Sequence, residues 1–405
     1  MDDAAGLHRW SAKRAARDPL LHYTLAVYAA SRLLFLAVAG LNVFTQNWSL
    51  KAQMSNWDGY WYLKMAQVWY EHTVNHGYHA YQTLGFMPLY SSLMWLLAHI
   101  IQSGYFAAGL VIAMVTGAIA TVLIGRLAEQ WWGAAAARRA ILFWCFFPGA
   151  IVFSMVYTEG VQLMLVSATL LLLSKRRWLA AGLASGFATA IAPVSLSLVV
   201  VCTAACLTCW YQRGLLRMPL SGLAVRVARD REGRRAALAP LLSPFGAVGF
   251  AVFLWFWTGS PMSDYTAQHV AWQESSTPLA MPRTFGTMIH QIFVAGVPDA
   301  PGGVDINGVT AVLGTLFLLW GLWLMWRSRT RIPLTAAVWT ICVAALALTS
   351  ANTPPNPRLL LLAFPVVITA GAHFEGRAFR IAMGVNIALT LAMSYLTYVG
   401  LWLRP

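Results

Sequence analysis

Charge is what this sequence has least of. Only 10% of its 405 residues carry a charged side chain, against roughly a quarter in an ordinary soluble domain, which excludes a water-soluble globular protein. Acid is scarcer than base: 14 Asp and Glu stand against 28 Lys and Arg, for a net charge of +14. Such a balance raises the question of a nucleic-acid partner, but the basic residues fall between apolar runs instead of along one face, so no nucleic acid is expected. Cysteine is sparse too. Cys145, Cys202, Cys206, Cys209 and Cys342 all lie within apolar segments, where cysteine acts as a small hydrophobe. "CLTC" at Cys206–Cys209 has the spacing of a redox or zinc pair, but it closes a segment that reads as membrane-embedded. No GxxxxGK[ST], Rossmann glycine pattern or G-x-S-x-G occurs, so nucleotide hydrolysis and serine-hydrolase chemistry have no motif. Internal repeats and low-complexity tracts are also missing.

What the sequence has in quantity is apolar surface, at 59% of residues. Hydrophobic runs near or above about 18 residues, each able to cross a hydrocarbon core as a helix, recur from Leu20 to Leu403. Runs such as "AAGLVIAMVTGAIATVLIG" do not alternate, which excludes a β-barrel. The expected fold is all-α: one polytopic transmembrane helical bundle over residues 1–405.

Basic residues stay on the cytoplasmic side and so orient the loops. Arg9, Lys13, Arg14 and Arg17 put the tail 1–19 inside, and the apolar run after it, with no clean cleavage site, reads as a retained first helix. Arg126, Arg138 and Arg139, then Lys175–Arg177, then the basic loop 213–235, then Arg327, Arg329 and Arg331, then Arg377 and Arg380 are also inside. Lys51, Lys64, Arg283, Arg358 and Arg404 fall outside, and Arg32 lies within the first helix. Ala140–Ser174 and Trp178–Tyr211 become hairpins of short or tilted helices. Phe86–Arg126 must cross an odd number of times, so "FMPLYSSLMWLLAHI" is assigned to an interfacial helix and Tyr105–Gly125 to the crossing. The sum is about eleven crossings, with long outer segments at 42–87 and 258–308.

Three charged residues on that outer side are candidates for chemistry. Asp58, in "SNWDGYWYLKMAQVWY", shares a helix face with Tyr62 and Met65, with Trp61 beside it. It is either an incidental acid on an aromatic-rich interfacial helix or a general base at the membrane surface. Glu159, in "VYTEG", is the single charge of its hairpin and faces either water or a polar cavity. Arg358 follows a Pro-Pro-Asn-Pro stretch, and offers either an interfacial anchor or a planar fork for phosphate. Arg32 is a site residue or a snorkelling side chain. His72, His76 and His79 lack a completing Cys or acid and read as a solvated loop, and His269 and His290 are isolated. No metal site is assigned.

In order, "WDGYWYLKMAQVWY", "FMPLY", "FFPGAIVFSMVYTEG", "RRWLAAGLASGFATAIAP" and "NPRLLLLAFP" resemble the PIG-V mannosyltransferase family, over most of the chain. The resemblance implies a GT-C fold, a polyprenyl-phosphate mannose donor and an inverting transfer to an acceptor hydroxyl. It also implies Asp58 of the "WD" motif as general base, with Trp57 and Tyr62 in support. Glu159 of the "YTE" motif, with Tyr157, would orient acceptor or metal, and Arg358 would bind the donor phosphate. No cofactor is required where Arg358 offsets the phosphate charge. A divalent cation has no support in the sequence. The Ala- and Arg-rich composition suits a bacterium of high genomic GC content, in which the acceptor would be a glycolipid, a glycan or a secreted protein.

The chain departs from the family at two positions. Ala192 replaces a usual Arg, removing a charge-assisted contact of about 1.5–3 kcal/mol, and Leu359 replaces a frequent Tyr. An impaired relative therefore stays open as an alternative, as does a lipid or sugar transporter, although a transporter predicts intramembrane charges and repeated halves. The topology makes a direct prediction for single-cysteine variants in intact cells. An impermeant thiol reagent should label position 51 and spare position 138; labelling at 138 would overturn the orientation.

Overall fold

The computed structural model describes residues 18–77, 80–216, 222–270, 272–290, 305–351, 353–399 and 403. The expectations placed on Arg9, Lys13, Arg14, Arg17, His79, Arg217 and Arg404 lie outside these residues, as does the 291–304 part of the second long segment. Among the described residues the chain is helical, apart from one isolated bridge between Ser276 and Ser350.

Asp18 caps the first helix, α1 (Pro19–Gln46), by accepting the Leu20 and Leu21 amides, with Pro19 at the first helical position, the sequence signature of a helix start. Two short helices follow, α2 (Leu50–Met54) and α3 (Asp58–Val68). Then come α4 (Leu89–Ile100), α5 (Tyr105–Trp132) and α6 (Ala134–Cys145), a 3₁₀ segment at Pro148–Ser154, and α7 (Glu159–Ser174). The middle of the chain forms α8 (Trp178–Thr189), α9 (Ser197–Gln212), α10 (Leu223–Arg229), α11 (Arg231–Leu242) and α12 (Phe245–Thr258). The second long segment carries α13 (Ser263–Val270) and α14 (Ala280–His290). The chain closes with α15 (Ile306–Arg327), α16 (Leu334–Thr349), α17 (Pro357–Leu362), α18 (Phe364–His373) and α19 (Gly376–Val399).

Among the described residues six helical stretches, Arg231–Thr258 (α11 and α12) counted as one, are long and apolar enough to cross a membrane, and the pair α6 plus Pro148–Ser154, bent by 71°, makes a seventh if it is one span. The protein is a multi-pass membrane protein. The eleven crossings expected from the loops would need all seven of these stretches and α7, α8, α16 and α18 as well. Those four run from 10 to 16 residues, about 15–24 Å at 1.5 Å per residue, short of a roughly 30 Å core. Length and composition therefore support six or seven spans. α4, at 12 residues, falls short of a span, and α5 is long and apolar enough to be the crossing after it.

Charge is distributed along the axis of α1. At its start Asp18 pairs with Arg126 of α5, and Tyr23 donates to the Arg138 carbonyl, while Arg139 pairs with Glu375 at 2.6 Å. α1 has 28 residues, about 42 Å of helix, and only after its far end does the chain reach Asp58. A large core built on Trp144, Phe153, Trp339 and Phe364 fills the bundle. A smaller one, with Tyr62, Met65, Tyr90, Met94 and Phe250, joins α3 and α4 to α12.

Two glycines set where α17 begins. A Cβ on Gly149 would lie 2.1 Å from the Pro357 carbonyl oxygen, and one on Gly314 would lie 1.9 Å from that of Pro355. Backbone cannot yield as a side-chain tip can, so Gly149→Ala or Gly314→Ala should destabilise the solubilised protein by about 1–3 kcal/mol. Gly249→Ala, with nothing within 4 Å, should be neutral or stabilising by up to about 1 kcal/mol. Thermal unfolding of the three variants checks the ranking.

Candidate active site

Three helices begin at one place. Asp58 is the first residue of α3, Glu159 the first of α7 and Arg358 the second of α17. The capping of α17 is legible in its residues: Asn356 accepts the Leu359 amide at 2.8 Å and Pro357 occupies the first helical position, a pairing suited to a helix start. Carboxylates at the starts of α3 and α7 are also favoured by the positive ends of those helix dipoles. Trp57, just before Asp58, has φ 52°, an uncommon conformation for a bulky residue that costs about 1–3 kcal/mol and gathers at functional sites.

Arg358 joins the two acids across 300 residues of chain. Its Nη1 donates to Asp58 Oδ2 at 2.5 Å, and its Nε lies 3.3 Å from Glu159 Oε1. The second contact is between charges without an aligned hydrogen bond: Arg358 Nε and Glu159 Oε2 are both buried without a hydrogen-bond partner. Buried polar atoms in that condition call for a functional explanation. The guanidinium also sits over the Tyr157 ring, 5.4 Å from its centroid.

Exposure separates the two acids. The Asp58 side chain is 24% exposed and that of Glu159 only 6%, so Asp58 can exchange a proton with water and Glu159 is enclosed. Around them Tyr157 Oη donates to the Asn56 carbonyl at 3.2 Å, and Asn56 Nδ2 donates to the Thr397 carbonyl of α19 at 3.0 Å. The Val156 amide donates to the Met54 carbonyl at 2.8 Å. The 156–159 segment and the 54–58 segment are therefore tied together by backbone. Tyr62 Oη lies 3.4 Å from Thr158 Oγ1. Burial, then the Asp58 and Glu159 charges, push the Tyr62 phenol well above the ordinary tyrosine range, so it remains a neutral hydroxyl.

Asp58, Glu159 and Arg358 thus come together beside Tyr62 and Tyr157. Arg32 does not join it. Buried in α1, Arg32 donates through Nη1 to the Ala150 carbonyl at 2.6 Å and Ser154 Oγ at 3.1 Å, and its guanidinium lies over the Tyr28, Phe35 and Phe153 rings. It neither snorkels nor meets an acid; it holds the 3₁₀ segment whose Gly149 abuts Pro357. Ala192 packs beside the smaller core. Gly149, Gly314, Asn56 and Thr158 were not singled out from sequence. For Asn56 the one available signal is adjacency to the "WD" pair, and for Thr158 its place in the "YTE" motif.

Among the described residues no three His, Cys, Asp or Glu come together in a group that could hold an ion, and His72 stacks on Trp257 with ring centroids 4.1 Å apart. The cysteines of "CLTC" are free and buried on α9.

The sequence matches no protein-family model and no curated protein. Among solved structures the chain is similar to the Archaeoglobus fulgidus oligosaccharyltransferase in the apo form, at a TM-score of 0.49 and 13% identity, over 92% of this chain and 56% of that one. It is similar to the archaeal oligosaccharyltransferase AglB from the same organism, in complex with an inhibitory peptide and a dolichol-phosphate, at 0.48 and 14% over 94% and 56%. It is also similar to ArnT from Cupriavidus metallidurans bound to undecaprenyl phosphate, at 0.47 and 16% over 91% and 75%. The chain spans 56% of the length of those oligosaccharyltransferase chains.

The site makes a prediction about stability. Removing the cation in Arg358→Met leaves two neighbouring carboxylates without compensation, and should cost up to about 3–5 kcal/mol. Adding Asp58→Asn to that variant should recover part of the loss. Recovery is read as the unfolding midpoint of the double variant lying above that of the single one.

Proposed function

We propose that the protein is a membrane glycosyltransferase of the GT-C type. It moves a sugar, mannose on the PIG-V resemblance, from a polyprenyl-phosphate donor to an acceptor hydroxyl at the extracytoplasmic face, with inversion at the anomeric carbon. The observation that carries this reading is Arg358 held between a partly exposed carboxylate, Asp58, and an enclosed one, Glu159, with buried donor and acceptor atoms left unpaired.

The chemistry follows from the charges. Two carboxylates and one guanidinium leave a net negative site, so a phosphate enters only by taking Arg358 from an acid. Arg358 has a fork of donors that suits a phosphate's oxygens. As the phosphate engages it, Asp58 Oδ2 is released from its 2.5 Å bond and turns to the acceptor hydroxyl. Asp58 then takes the hydroxyl proton while the acceptor oxygen forms a bond to the anomeric carbon. The bond from that carbon to the phosphate oxygen breaks, its electron pair stays on the phosphate, and Arg358 faces the resulting charge. Asp58, open to water, sheds the proton. Glu159 keeps Arg358 oriented throughout and holds the acceptor or, in the presence of one, a cation. Ala192, with no charge of its own, favours one alternative: a relative with reduced activity or a different donor.

Asp58→Asn keeps the size of the side chain and removes the base. Purified protein carrying it should fold normally and transfer mannose from polyprenyl-phosphate mannose about 10²–10⁴ times more slowly. Transfer at a near wild-type rate would remove Asp58 from this role.

A further inference from the structure

Part of the second long segment, between Gln268 and Thr277, is held at two places. At one end Gln268 Nε2 donates to the Gly85 carbonyl at 2.5 Å. Trp272 packs on Trp61, Tyr81 and Phe86, with centroids 5.7, 4.6 and 5.4 Å away. Trp61 is three residues from Asp58 on α3. At the other end the Thr277 amide donates to the Thr349 carbonyl at 2.7 Å and the Ala351 amide to the Ser275 carbonyl at 2.9 Å. Between these anchors stands Glu274. Its Oε1 accepts Ser350 Oγ at 2.6 Å and its Oε2 accepts Thr353 Oγ1 at 3.0 Å, and the Thr353 amide donates to Ser350 Oγ at 2.9 Å.

We propose that Glu274 is a positioning residue that clamps this strap onto Ser350 and Thr353 and thereby sets where Arg358 stands against Asp58. The inference rests on the reading of Arg358 as the partner of a donor phosphate. Its physical basis is stiffness. From Thr353 to Arg358 the chain reads Pro354, Pro355, Asn356, Pro357, and three prolines with fixed φ leave little slack to absorb a displacement. The Pro355 and Pro357 carbonyls are in turn seated against Gly314 and Gly149. A shift at Thr353 therefore passes to the start of α17, where a guanidinium 2.5 Å from Asp58 has little room for error. Glu274 touches neither Asp58 nor Arg358. It acts through two hydroxyls, one strap and one proline-stiffened stretch.

The test compares Glu274→Ala, Glu274→Gln and Arg358→Gln with the unaltered full-length protein. One measurement is amide hydrogen exchange over residues 353–362, and the other is affinity for undecaprenyl phosphate. Glu274→Ala should speed exchange there and weaken affinity by about tenfold, the scale of one lost charge-assisted contact. Glu274→Gln should stay within about threefold of the unaltered protein, because an amide pairs with both hydroxyls, each of which accepts as well as donates. Unchanged exchange in Glu274→Ala overturns the clamp. So does faster exchange with full affinity while Arg358→Gln has lost it, since the strap would then not reach Arg358. Failure of Glu274→Gln as severe as that of Glu274→Ala would mean that the charge itself is needed, and would also overturn a purely positioning role. If Arg358→Gln binds as tightly as the unaltered protein, the reading of Arg358 fails, and the exchange measurement alone decides the clamp.

Discussion

The site depends on one guanidinium held between two carboxylates. In water such a triad would be weak, screened and entropically loose. Enclosed beside Tyr157 and Tyr62, it cannot be left half made, because removing one partner strands buried charge. That constraint explains why so much of the neighbouring structure serves to hold backbone in place. Gly149 and Gly314 let two helices approach the carbonyls of Pro357 and Pro355. Arg32 ties the broken helix that carries Gly149 to α1 through the Ala150 carbonyl. Asn56 links the acid-bearing segment to α19. None of them touches the reacting atoms, and each limits how far Arg358 and Asp58 can separate.

The charge of the triad also orders the proposed reaction. A base that must wait until phosphate has displaced its cation is not free until the donor is bound, which couples donor binding to activation of the acceptor. The enclosed acid and the partly exposed one are then not interchangeable. Glu159 holds the guanidinium from a dry position, whereas Asp58 can return its proton to water.

Much of this was legible in the residues. The scarcity of charge and the length of the apolar runs lead to an all-α membrane bundle, and the three charges Asp58, Glu159 and Arg358 stand out because so few acids and bases interrupt the apolar segments around them. Their meeting was not legible, since Asp58 and Arg358 are 300 positions apart and nothing local couples them. Glycine is common in this chain, with 31 copies, so only the backbone contacts distinguish Gly149 and Gly314 from the others. Arg32 reads from sequence as a site residue or a snorkelling side chain. Its partners are instead carbonyls freed where α6 breaks, a feature that no side-chain pattern announces. The crossings show the same limit of local reading: α7, α8, α16 and α18 are apolar enough to be counted as spans but, at 10 to 16 residues, too short to traverse a full hydrocarbon core upright.

The central claim is a single displacement at the anomeric carbon, with Asp58 as base and the phosphate leaving toward Arg358. It is tested most directly by the configuration of the new glycosidic bond, read by NMR on the product formed by the purified protein from polyprenyl-phosphate mannose. The account predicts the configuration opposite to that of the donor. Retention of the donor's configuration, or no sugar transfer at all, would contradict it.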